Sequence, residues 1–249
     1  MERSKVLVMV IGSNVSPWNK NWIECSQTWV PLLKQLGYHV KISFGDEHLD
    51  NYFIDEGDSI RFKSVLDKSG LFDRALRLPL KWITENTDYE YYVKIDSDTF
   101  VHPIRFSNML EENINDNFDY MGTCIPYRGW NPNTNFKKYI HQEDTNDLFF
   151  ASGAGFVLNR RVMKSVLDNL EIQNEWELSC EDYVLGKVMK KLKIPLLHDN
   201  RICLESPFTT SIINPHNITV PYIGDRDSHL AMQHYLNGYM YNVINDLIK

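Results

Sequence analysis

The sequence predicts an α/β domain with a mostly parallel central sheet flanked by helices. Three observations predict it: a buried-strand run near the start, a helical period that follows and stops at a glycine, and further apolar runs alternating with helical stretches. Residues 5–11 are a continuous β-branched and apolar run ending in Gly-Ser-Asn, the pattern of a strand covered on both faces that delivers a loop at its carboxyl end. Over residues 19–36, Trp22, Cys25, Trp29, Leu33 and Leu36 recur at spacings of three and four, and Gly37 stops the pattern as a helix C-cap would. Residues 38–44 read as the second strand, so the chain opens as the start of a parallel sheet with a right-handed crossover.

After an acidic loop at 45–58, residues 60–84 read as helical, broken near Ser69-Gly70 and bent at Pro79. The next strand is expected at 89–95, then an Asp96-Ser97-Asp98 turn, a helix at 104–113 and a strand at 120–125. The polar segment 126–147, carrying Pro, Gly, Asn and aromatic residues, is too long for an ordinary connection and reads as a substrate loop. Residues 148–159 are apolar apart from Ser152-Gly153-Ala154-Gly155, helices follow at 160–170 and 180–192, and 194–197 is a short strand. With no composition shift to mark a boundary, residues 1–249 read as one domain.

Composition narrows the function. The 33 acidic residues outnumber the 26 basic ones, giving a formal charge of −7, and the basic residues are scattered, which argues against nucleic acid as a partner. The apolar run at 6–11 is far short of the roughly 20 residues of a membrane-spanning helix. Neither a signal peptide nor a span is expected, and Cys25, Cys124, Cys180 and Cys203 are too dispersed for a zinc framework. Reduced thiols in a cytoplasm are the expectation, with Asn14-Val15-Ser16 and Asn217-Ile218-Thr219 read as chance glycosylation tripeptides.

The chemistry centres on Tyr91-Tyr92-Val93-Lys94-Ile95-Asp96-Ser97-Asp98, an apolar strand ending in two carboxylates one residue apart. Strand ends of this kind are where α/β sheets bind ligands, and two such carboxylates can reach a hard divalent cation and the pyrophosphate it bridges. The same pattern fits a surface turn capped by Asp and Ser, or the nucleophile motif of haloacid-dehalogenase phosphatases using Asp96, although that motif usually sits in the first strand. Ser152-Gly153-Ala154-Gly155 places small residues between bulky ones, either to let backbone amides meet a ligand or to allow a tight crossing in the core. Ser179-Cys180-Glu181-Asp182 fits a capping box, and a carboxylate there can also face a cleft as a general base. His234, among apolar and aromatic neighbours, reads on its own as a packing residue.

Taken in order, these pieces resemble the β1,3-glycosyltransferases of the fringe and core-1 galactosyltransferase kind. Residues 91–101 look like their strand with the DxD motif, 150–159 like their "SGGAGYVLS" segment, and Glu181-Asp182-Tyr183-Val184-Leu185-Gly186 like their "EDxxxG" motif. Met232-Gln233-His234-Tyr235 is similar to their C-terminal "FHY", and weaker similarity reaches Thr28-Trp29 and Lys81-Trp82. Two departures stand out: Ser97 replaces the middle acid of DDD, and Ser26 and Gln27 stand where an arginine usually precedes the Thr-Trp pair.

The resemblance implies a GT-A fold of Rossmann-like design, a UDP-sugar donor, inversion at the anomeric carbon, and manganese or another divalent cation such as magnesium. It implies Asp98 and His234 as metal ligands with Asp96 on the ribose or the metal's outer shell, and Asp182 as base with Glu181 beside it. The donor is expected along Ile11, Gly12, Ser13, Lys94, Asp96, Ser97, Gly153, Ala154 and Gly155, within a nucleotide-sugar half at 1–125. A glycan or glycoprotein acceptor is expected on a second half at 126–249, against Tyr127 and Trp130. A catalytically inactive relative acting as a binding module is the remaining alternative, and a bacterial, viral or cytoplasmic protist setting suits a chain without an anchor.

Overall fold

The computed structural model describes residues 2–15, 18–65, 70–126, 137–142, 146–199, 201–202 and 219–221. Strand β1 (Val6–Ile11) is buried at every position, as a continuous apolar run requires when both sheet faces are covered. It lies parallel to β2 (His39–Gly45), and the crossover between them is a helix pair, α1 (Asn21–Gln27) and α2 (Trp29–Gln35). The single helix expected over 19–36 breaks at Thr28, which has φ −116° and ψ −91°. Pro31 explains the break, because its ring would clash with the carbonyl four residues earlier; ending α1 at Gln27 places the proline in the first turn of α2, where no N–H is needed. Gly37 ends α2 as expected. Its φ is +93°, and the Gly37 and Tyr38 amides close back on Lys34 O at 2.9 Å and Leu33 O at 3.1 Å, a Schellman pattern.

The helix expected from residue 60 is a strand instead. Short β3 (Phe53–Asp55) and β4 (Ser59–Phe62) form the sheet edge, with Ile60 and Phe62 inward and Ser59 and Arg61 half-buried. Four residues of alternation are too few to outweigh the helical period of the longer stretch up to residue 84. Pro79 lies inside a continuous helical run over 71–86, at the start of its α-helical part α3 (Leu78–Asn86) and directly after a π-helical segment at Asp73–Arg77. The Ala75 carbonyl, which an α-helical N–H at residue 79 would serve, takes the buried Tyr92 hydroxyl at 2.6 Å.

Strand β5 (Tyr91–Asp96) pairs parallel with β1, and β6 (Thr99–Val101) leaves the turn after it to pair with β11 (Thr219–Pro221). Then come α4 (Pro103–Ile114), β7 (Tyr120–Pro126), β8 (Lys137–Ile140), β9 (Phe149–Asn159), α5 (Arg160–Asp168), α6 (Glu181–Lys191) and β10 (Leu196–Asp199). Strand β8 falls inside the segment expected to be loop.

The main sheet runs β3-β4-β2-β1-β5-β9-β7-β10-β8. From β4 to β5 it is parallel, as expected; beyond β5 it is mixed, because β9 enters antiparallel between β5 and β7. Helices cover both faces. One core joins α3, α5 and α6 through Leu80, Met163 and Leu185, and the other joins α1, α2 and α4 through Cys25, Leu33 and Met109. Cys25, Cys124 and Cys180 are free thiols, and among the described residues no helix is long and apolar enough to cross a membrane.

Candidate active site around Gly153

The parallel strands β1 and β5 end side by side, with Ile11 opposite Asp96. The third contributor is β9. It follows β5 from Asn159 back to Gly155 and rejoins β7 at Ala151 opposite Cys124, so Ser152 to Gly155 bulge out of the ladder against a single β7 residue. The tight-crossing reading of the small-residue run is met here. Gly122 makes the crossing tight, since a Cβ there would sit 2.5 Å from the Ala151 Cβ and 3.0 Å from Gly155 O. The bulged backbone is meanwhile carried over the carboxyl end of β5.

Within the bulge lies Gly153, where three charged groups meet. A Cβ on this glycine would lie 3.0 Å from Asp96 Oδ2, 3.3 Å from Lys94 Nζ and 3.5 Å from Asp182 Oδ2. The Gly153 amide donates to Asp182 Oδ2 at 3.0 Å and its carbonyl accepts from Lys94 Nζ at 2.7 Å. Lys94 also pairs with Asp96 Oδ1 at 2.7 Å and Glu181 Oε1 at 2.6 Å. Burial, followed by the Glu181 charge, pushes the Asp182 carboxyl up to about 6. Asp96 rises to about 7 through partial burial and the neighbouring Glu181 and Asp98 charges, against the pull of Lys94.

Helix α6 supplies the two acids, though not by a capping box. Its N-cap is Cys180, with no side-chain cap bond, and Ser179 lies in the preceding 3₁₀ turn, Glu175–Ser179. Asp182 Oδ1 instead accepts the adjacent Tyr183 amide at 2.8 Å, leaving Oδ2 to Gly153. Gly186, one turn further on, lets α6 lie against β9: a Cβ there would be 2.4 Å from the Phe150 Cβ. Gly186→Ala should cost about 1–3 kcal/mol by overpacking, read as a lower urea midpoint at unchanged m-value.

The other residues expected at the site have varied settings. Ile11 has its side chain in the core. A Cβ on Gly12 would be 2.6 Å from the Phe44 ring, and its amide extends the β1–β2 ladder to Ser43 O at 2.8 Å. Ser13 Oγ accepts from the Val15 amide at 3.1 Å. Ser97 is buried in the turn, and its carbonyl accepts from Cys25 Sγ at 3.1 Å; burial and the Asp98 charge hold that thiol protonated. Ala154 donates its amide to Ser152 Oγ at 3.1 Å, and Gly155 pairs with Ile95. Lys94, expected to meet the donor, is fully buried, and Glu181 is 2% exposed. Tyr127, Trp130 and His234 lie outside the described residues. Sequence reasoning passed over Tyr120, whose hydroxyl accepts the Ala151 amide at 2.7 Å where the bulge begins; an aromatic in a strand carries no signal of that role.

Three carboxylates around one ammonium leave an excess of hard oxygen donors, which suits a divalent cation. Among the described residues, however, no three His, Cys, Asp or Glu side chains converge on a metal position. A metal on Asp96 or Asp98 thus needs a further ligand from outside them.

A family profile described as Galactosyltransferase matches residues 76–200, half of the chain, from the turn before α3 through β10. The chain belongs to the galactosyltransferase family. This galactosyltransferase-family protein is accordingly a glycosyltransferase enzyme, and the phosphatase alternative is set aside. A search of curated protein sequences returned no match.

Among solved structures, the glycosyltransferase is similar to one described as involved in the glycosylation of the major capsid of PBCV-1. That likeness has 12% identity and a TM-score of 0.49, covering 93% of this chain and 98% of that one. It is also similar to A197 from STIV, at 13% identity and a TM-score of 0.44, with 78% and 81% covered. A CMP:2-keto-3-deoxy-manno-octonic acid synthetase complexed with CTP matches at 12% identity and a TM-score of 0.46, with 78% and 88% covered.

Proposed function

We propose that the protein transfers a hexose or N-acetylhexosamine from a UDP-sugar to a hydroxyl of a glycan or glycoprotein, inverting the anomeric carbon in a β1,3-type linkage. The observation that supports this reading best is the junction at Gly153. There Asp96, from the carboxyl end of the β5 strand, and Asp182, from the start of α6, approach one backbone position.

On this reading the donor lies along the ends of β1 and β5, where Gly12, Ser13, Ser97 and the Ala154 and Gly155 backbone would contact it. A manganese or magnesium ion would be held by Asp98 and His234, with Asp96 alongside, and when bound it offsets the negative charge of the leaving diphosphate. Asp182 takes the acceptor proton as the hydroxyl attacks. Its two oxygens are each oriented by a backbone amide, which fixes the carboxylate before substrate arrives. The acceptor is assigned to residues 126–249, with Tyr127 and Trp130 as its contacts.

A base works deprotonated, and the Asp182 carboxyl is raised to about 6. The transfer rate should therefore fall as pH drops through about 6 and level off above it, measured as kcat/KM for the acceptor against pH. Asp98→Ala and His234→Ala should each weaken manganese-dependent UDP binding by at least the ~10–100-fold that loss of a metal's outer-shell partner costs, with the circular dichroism spectrum unchanged. A panel of UDP-sugars in a thermal-shift assay, with and without manganese, tests the reading as a whole. Stabilisation by one UDP-sugar that requires the metal is expected; stabilisation by none, alongside transfer from another nucleotide sugar, overturns the donor assignment.

A further inference from the structure

We propose that Lys94 is a positioning residue, which ties the acceptor-side carboxylate Asp182 to the donor-side end of β5 without touching either substrate. The proposal rests on the assignment of Asp182 as base. A lysine ammonium has three N–H donors and no acceptor. All three of Lys94 are in use, on Asp96 Oδ1 at 2.7 Å, Glu181 Oε1 at 2.6 Å and Gly153 O at 2.7 Å. The three acceptors belong to three elements: the last residue of β5, the first of α6, and the bulge of β9.

An ion pair that only neutralised a buried charge would need one carboxylate. Lys94 holds two, plus a carbonyl, and the last two of its partners flank Asp182 by separate routes. Glu181 precedes Asp182 in the first turn of α6, while Gly153 grips Lys94 by its carbonyl and Asp182 by its amide. Moving the ammonium would release the Gly153 peptide and the first turn of α6 together, and both carry the base. At 0% exposure, with the Phe156 ring 5.8 Å from Nζ, the ammonium is sealed from water and from ligands. Arginine cannot replace it, because a planar fork does not point three N–H groups at three acceptors around one atom.

The test separates positioning from charge burial. Lys94→Met alone strands buried carboxylates, so the informative protein is the double variant Lys94→Met/Glu181→Met, in which two apolar side chains of similar length fill the space of the ion pair. Its melting temperature should return close to that of the parent, while kcat stays about 100-fold down, the scale of a small misplacement of catalytic groups, with donor and acceptor KM little changed. Recovery of kcat together with melting temperature would sink the proposal.

Glu181→Met, which leaves Lys94 paired with Asp96, decides the matter if the double variant does not fold. A lowered kcat at unchanged UDP-sugar affinity supports positioning, and an unchanged kcat overturns it. Asp182→Asn assayed alongside keeps the two questions apart: parental transfer by that variant removes the base assignment, whereas a slow Asp182→Asn beside a fully active double variant removes only the role of Lys94.

Discussion

Asp182→Asn should lower the transfer rate by about two to four orders of magnitude while leaving UDP-sugar and metal affinity near those of the parent. The substitution keeps side-chain shape and removes basicity. Donor binding is assigned to the opposite side of Gly153, so the loss should fall on kcat. One further effect comes from geometry. The carboxylate serves the Gly153 and Tyr183 amides with separate oxygens, and an asparagine has one carbonyl oxygen, so one of the two amides loses its partner. A stability loss of about 1–3 kcal/mol should accompany the kinetic defect. Glu181→Gln should be much milder, because its amide oxygen can still accept from Lys94. Should Asp182→Asn remain active while Glu181→Gln is dead, the base is the neighbouring residue.

The largest expected effect on folding is that of Lys94→Met, about 3–5 kcal/mol in urea denaturation. The ammonium is fully buried, and the Glu181 side chain is 3% exposed, so removing the cation leaves a carboxylate with neither water nor a countercharge. Asp96 contributes less, since its side chain is 31% exposed and can be hydrated in part. A midpoint within error of the parent would mean that the Lys94–Glu181 pair contributes nothing net to stability.

Much of this protein is set by local sequence. The buried strands β1, β2, β5 and β7, the Gly37 stop and the helices α4, α5 and α6 follow from patterns a few residues long, in which one residue's environment is decided by its near neighbours. The acidic pair at the end of β5 and the Glu181-Asp182 pair were likewise readable in sequence as candidates, and the structure brings Asp96, Glu181 and Asp182 together around Lys94 and Gly153. Their order along the chain resembles β1,3-glycosyltransferases of the fringe and core-1 kind, and the profile match establishes the broader galactosyltransferase family.

Local sequence misjudged what depends on distant partners. The break at Thr28 was readable in principle from Pro31, but β3 and β4 are strands only because β2 offers an edge to pair with. The antiparallel entry of β9 between β5 and β7 decides that Ser152-Gly153-Ala154-Gly155 is at once a tight crossing and an arch over the site. It also decides the surroundings of Lys94 and Glu181, which are separated by 87 positions in the chain yet pair in the structure. Burial of an ionic pair is a property of the packed structure alone: a lysine two residues before an acid looks the same in sequence whether its ammonium meets a nucleotide or is sealed against a carboxylate from another helix.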